Sequence, residues 1–134
     1  MILVEKILLL KKVPFLAHTS PDTLAWLAES AEEQTVNEAE VIFEKGSEGE
    51  KMYVVVEGSV QLYNDQKTLR SFGSGDYFGL LSLLDEGKRT ASAKANTSCI
   101  LLGIRQEIFH RILLKHPEAM KALLSILAKR IRGQ

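Results

Sequence analysis

The chain reads as a mainly β domain, an antiparallel sandwich or barrel with helices at both ends. Three observations predict this. Short β-branched stretches recur through the middle of the chain between glycine-containing turns. The first thirty residues and the last thirty instead carry a helical apolar period. The turns between the strands are too short for crossover helices, so the strands pair antiparallel rather than parallel. A length of 134 residues suits one domain with its own core. Hydrophobic content of 46% and charged content of 25% are those of an ordinary globular protein.

Taken in order, Val4 to Leu10 is a short apolar helix stopped by Pro14. Ser20-Pro21-Asp22 is a helix start, with Ser20 as N-cap, proline at the first helical position and an acid in the first turn. Leu24, Leu27 and Ala28 give that helix an i, i+3, i+4 stripe, with Trp26 beside it as a partly buried anchor. From about residue 33 short strands follow. Val41 to Phe43 ends at a turn holding Gly46 and Gly49, and Met52 to Val56 ends at Glu57-Gly58. Val60 to Tyr63 ends at Asn64-Asp65, and Leu69 to Phe72 ends at Gly73-Ser74-Gly75-Asp76. Ala91 to Ala95 and Cys99 to Ile104 are two further strands. Helical period returns from Arg105, with Ile108, Ile112 and Leu113 on one helix closed by His116-Pro117. Met120, Leu123, Leu124, Leu127 and Ile131 mark the last one. The organisation is therefore a single domain over 1–134: helices in 1–30, strands from about 33 to 104, and a helix pair from about 105 to 132.

Several function classes lose support at this stage. The apolar run Ile7 to Leu10, bounded by lysines, is too short to span a membrane, and no cleavage site follows the amino-terminal stretch. One cysteine, Cys99, gives no internal disulfide and fits a reducing cytoplasm; its apolar setting favours an inert buried thiol. Formal net charge is zero but uneven. Glu29 to Glu57 holds nine acids and two lysines, while Arg105 to Gln134 holds seven bases and two acids. A basic helical end suits nucleic acid or an acidic membrane surface, but also a plain solvated face, and no helix-turn-helix follows it. His18, His110 and His116 lack metal-ligand spacing, and Ser74 and Ser82 have no base nearby in sequence. Nothing here supports an enzyme.

The run Tyr77 to Ala91, Y-F-G-L-L-S-L-L-D-E-G-K-R-T-A, does point to a chemistry. Gly79 lets the backbone approach a ligand at the mouth of a short apolar helix. The amides that follow it (Leu80, Leu81, Ser82) are donors without helical partners, so they suit an anion. Arg89 adds a bidentate fork for phosphate, and Thr90 a hydroxyl beside it. The alternative is structural: Gly79 serves close packing, and Arg89 pairs with Asp85 or Glu86.

These residues resemble the cyclic nucleotide-binding domain family, the β-roll shared by catabolite-activator regulators, cyclic-nucleotide-dependent kinases and gated channels. The family cassette reads roughly F-G-E-L-A-L-L, a few residues, then P-R-x-A. This chain has F-G-L-L-S-L-L, Asp85-Glu86-Gly87, then K-R-T-A. The spacing of Gly46, Gly49, Met52 to Val55, Glu57-Gly58 and Gly75 to Gly79 fits the family pattern, as do both sets of helices. The resemblance implies a β-roll that binds cyclic AMP or cyclic GMP, with no cofactor required. It places Arg89 and the Gly79–Ser82 amides on the cyclic phosphate, with Thr90 adding a hydroxyl. A threonine there is associated with tolerance of cyclic GMP. Two positions depart from the pattern. Leu80 stands where the family glutamate binds the ribose 2′-hydroxyl, and Lys88 replaces the usual proline. The chain also stops at Gln134, about where residues covering the base would begin and before any DNA-binding domain. Two functions follow: a regulatory sensor of a cyclic nucleotide, freestanding or fused to an effector, or a degenerate member serving as an interaction module. For the second, Leu124, Leu127 and Ile131 have the i, i+3, i+7 spacing of a helix-pair seam through which a homodimer would form, though covering the domain's own core explains them equally well.

Overall fold

The computed structural model describes residues 1–133, which divide into two compact units. The first comprises Met1–Ser30 and the chain from Glu107 onward; the second is Ala31–Gln106.

The helical unit holds α1 (Leu3–Leu10), a 3-10 turn (Pro14–Leu16), α2 (Pro21–Ser30), α4 (Gln106–Lys115) and α5 (Pro117–Ile131), with Gln106 itself in the other unit. The expected N-cap is present: Ser20 Oγ accepts the Thr23 amide at 3.2 Å. Leu24, Leu27 and Ala28 are buried, as their spacing predicts, and the Arg111 guanidinium lies 5.6 Å above the half-buried Trp26 ring. Phe15 and Phe109 meet edge to face at 5.8 Å, a favourable arrangement for two aromatic quadrupoles. The apolar row expected on α5 divides. Leu123 is buried and Leu127 half-buried, whereas Met120 is exposed, Leu124 is 60% and Ile131 87% exposed.

Ala31–Gln106 is a β-roll. Among the described residues it has two four-stranded antiparallel sheets, ordered β1-β8-β3-β6 and β2-β7-β4-β5. The strands are β1 (Glu32–Val36), β2 (Val41–Phe43), β3 (Lys51–Glu57), β4 (Val60–Asn64), β5 (Lys67–Phe72), β6 (Tyr77–Phe78), β7 (Ser92–Ala95) and β8 (Cys99–Arg105); α3 (Leu81–Leu84) interrupts the series after β6. Both sheets contribute to one core. Val36, Tyr53, Val55, Phe78, Cys99 and Leu101 come from the first and Val60, Phe72, Ala93 and Ala95 from the second. Rings stack in succession toward one end of it: Phe72 on Phe78 at 5.4 Å, Phe78 on Tyr53 at 5.3 Å, and Tyr53 on Phe43 at 6.3 Å. Burial raises the Tyr53 phenol above its ordinary 10.0, against the lowering influence of Lys51 and Arg89. Gly58 turns β3 into β4 at φ +96°, and a Cβ there would stand 2.4 Å from the Ser98 carbonyl. Cys99 is buried, its thiol 3.1 Å from the carbonyls of Ser59 and Thr97.

Candidate functional site

Three pieces of the roll converge on Arg89. The first is the turn between β2 and β3, entered through Gly46 at φ +87°. The second is the Lys88–Arg89 segment, fastened to that turn by reciprocal backbone bonds. The Gly46 amide donates to the Arg89 carbonyl and the Arg89 amide to the Ser47 carbonyl, both at 2.8 Å, and Glu48 bridges Lys88. The third is the corner after β6, where Gly79 adopts φ +81° and delivers the chain into α3. The site is thus built by strand pairing and two left-handed glycines, which L side chains rarely imitate.

The Arg89 side chain runs inward and is only 6% exposed. One terminal nitrogen donates to the Gly79 carbonyl at 2.8 Å and to Ser82 Oγ at 2.9 Å. The other donates to the Lys51 carbonyl. The Phe43 ring lies 4.0 Å from the guanidinium carbon, a cation–π contact on a partly buried face. Nε is buried with no hydrogen-bond partner among the described residues. Asp85 and Glu86, the partners a structural role requires, do not engage the guanidinium; Asp85 accepts the Gly87 amide at 2.8 Å instead. Burial lowers the Arg89 pKa from its ordinary value, with Tyr53 and Glu50 opposing the shift.

A buried guanidinium bonded to carbonyls and a hydroxyl rather than to a carboxylate is desolvated without a counter-charge in direct contact. An anionic oxygen is a stronger acceptor than either. This arrangement therefore favours an anion, and its fork suits the oxygens of a phosphate.

The other expected site residues are placed as follows. Gly79 and Ser82 contact Arg89 directly, and Ser82 is buried at 7% exposure. Leu81 and Ser82 open α3, ahead of its helical hydrogen bonds. The Leu81 side chain is 53% exposed, and Thr90 is exposed beside Arg89 in sequence. Leu80 is buried, at 4% exposure. Sequence reasoning missed Phe43, the Lys51 carbonyl and Gly49. A Cβ on Gly49 would stand 2.0 Å from Ser82 Oγ, so the close approach of the β2–β3 turn to α3 needs glycine. Its recognised turn spacing was the available signal. Among the described residues, no group of three or more His, Cys, Asp or Glu side chains is placed to hold a metal ion. No helix among them is long and apolar enough to cross a membrane.

An antiparallel β-roll with an arginine buried at a Phe-Gly corner defines a class of regulatory domain. The chain belongs to the cyclic nucleotide-binding domain family, whose model matches residues 33–116. It is 33% identical over 93 residues to a cAMP-dependent protein kinase regulatory subunit of Eremothecium gossypii, covering 69% of this chain and 20% of that protein. It is 36% identical over 96 residues to the cyclic AMP receptor protein of Thermus thermophilus, covering 68% of this chain and 44% of that one. The chain thus spans less than half the length of either relative. In structure it is similar to the N-terminal domain of a transcriptional regulator from Streptomyces coelicolor, with a TM-score of 0.77 and 32% identity over 93% of this chain and 90% of that one.

Proposed function

We propose that this chain is a non-catalytic regulatory sensor that binds a cyclic nucleotide, cyclic AMP or cyclic GMP, through its phosphate. One observation carries the reading: the Arg89 guanidinium is buried beside Gly79 and Ser82 without a carboxylate partner and with Nε unpaired. Family membership supports a cyclic nucleotide as the ligand. Arg89 grips the phosphate, the amides opening α3 add donors, and Thr90 stands at the rim. Leu80 supplies no acceptor for a ribose hydroxyl, so affinity is modest. A hydrogen bond to a charged group contributes about 1.5–3 kcal/mol, which corresponds to about a 10- to 100-fold loss. The signal requires two arrangements of the domain with different ligand affinities, passed on to a fused effector or a second copy.

A second reading is a degenerate member that acts as an interaction or dimerisation module. It is favoured by the solvent-exposed Leu124 and Ile131 on α5 together with the apolar Leu80.

Titration calorimetry with cyclic AMP and cyclic GMP separates the two. The sensor reading expects one saturable site on the chain, tighter binding by Leu80→Glu and none by Arg89→Ala. Silence of both the chain and Leu80→Glu to millimolar ligand supports the interaction module. Binding that survives Arg89→Ala unchanged overturns the site assignment.

A further inference from the structure

We infer that Ser82 is a built-in competitor for the phosphate: its hydroxyl holds an Arg89 donor that the ligand must take, and so sets affinity from within. The inference rests on the reading that Arg89 grips the phosphate.

A guanidinium has five N–H protons. Here the nitrogen facing Gly79 and Ser82 commits both of its protons, at 2.8 and 2.9 Å, and the other terminal nitrogen commits one to Lys51. Nε is buried and commits none. The side chain is thus satisfied internally on three donors and enclosed on a fourth. Nε–H and one proton of the nitrogen facing Lys51 remain uncommitted; a phosphate that engages both terminal nitrogens must displace Ser82 or Gly79 from the first of them.

Of those acceptors only Ser82 is a side chain; the other two are backbone carbonyls that any residue would supply. The Ser82 hydroxyl is also closely seated. Gly49 lies behind it so tightly that a Cβ would come within 2.0 Å of Oγ and 2.4 Å of Ser82 Cβ, while the same Cβ would sit 3.4 Å from the Arg89 guanidinium carbon. Gly49 is not at positive φ, so space, not backbone conformation, is what glycine provides there. The slot between Gly49 and Arg89 therefore holds the hydroxyl against the guanidinium. Breaking that bond also removes a link between α3 and the Arg89 segment, coupling ligand capture to movement of the corner that carries Gly79.

An acceptor removed at position 82 leaves an Arg89 proton free for the ligand. Ser82→Ala is expected to bind cyclic AMP about 3- to 10-fold more tightly than the parent chain, below the 10- to 100-fold range for a full charge-assisted bond because a phosphate recovers part of the lost contact. Calorimetry of the parent chain, Ser82→Ala and Arg89→Ala tests this, with circular dichroism confirming the fold. Ser82→Cys, a near-isosteric weak acceptor, serves in place of Ser82→Ala if that variant does not fold. Tighter binding by the Ser82 variant, abolished by adding Arg89→Ala, supports the inference. Weaker binding makes the hydroxyl a ligand donor and overturns it; equal affinity overturns it as well, and both results leave the sensor reading intact. Absence of binding by every chain overturns both readings together.

Discussion

Replacing Gly79 by alanine perturbs the site at the point where backbone and guanidinium meet. Two costs are separable there. The residue sits at φ +81°, and placing an L side chain in the left-handed region costs about 1–2 kcal/mol. The new Cβ would also stand 2.8 Å from an Arg89 terminal nitrogen, closer than real Cβ contacts allow. The guanidinium must shift and weaken its bonds to Gly79 and Ser82, and a hydrogen bond to a charged group is worth about 1.5–3 kcal/mol. The sum is about 2.5–5 kcal/mol. Gly46→Ala is the internal control: its φ is +87°, yet nothing lies within 4 Å of its added Cβ. It carries the strain alone, about 1–2 kcal/mol. Urea unfolding of the two variants should differ by about 1.5–3 kcal/mol, with Gly79→Ala the weaker, at unchanged m-value. If the two cost the same, the guanidinium is not held against Gly79 and the described geometry is refuted.

Two further predictions concern the rest of the molecule. Leu124→Gln with Ile131→Gln should change the unfolding free energy of the monomeric chain by less than about 1 kcal/mol, because both side chains are exposed; a loss above about 2 kcal/mol in urea melts would show that this face is covered. The Tyr53 phenol is raised above 10.0 by burial, so the folded chain holds that proton more tightly than the unfolded chain. Its contribution is fully present below pH 10.0 and is lost as pH climbs through the folded-state value. Stability measured from about pH 8 to pH 11 should fall less steeply in Tyr53→Phe than in the parent chain, and parallel profiles would contradict the assignment.

Much of this architecture was legible in the sequence because turn chemistry punctuates it. Gly58 and Asn64-Asp65 end strands where hairpins form, and Asp65 indeed adopts φ +56°. The helix starting at Pro21 was legible for the same reason, a local cap with a local signature. β1 was not. Its residues Glu32 to Thr35 have no apolar alternation, and the strand exists because it pairs with β8, a long-range register that no local pattern encodes. On α5 the 3.6-residue period identified the helix but not which side is covered, since Leu123 and Leu124 differ by one step and opposite burial. The Arg89 spacing was readable ten residues from Gly79, but its surroundings were not. Lys51 reaches it from 38 residues away and Phe43 from the preceding strand, brought together only by the roll. The sequence reading therefore named the cation and left open what held it.

The central claim is that Arg89 grips the phosphate, and the Arg89 Nε–H proton is its most direct reporter. That group is buried and unpartnered, so it should give a slowly exchanging resonance in a nitrogen–proton correlation spectrum, identified by its loss in Arg89→Lys. Saturating cyclic AMP should shift this resonance strongly, as the guanidinium exchanges internal acceptors for an anionic phosphate, and inorganic chloride at equal ionic strength should not. A chain that binds the nucleotide while the Arg89 resonance stays in place would contradict the account.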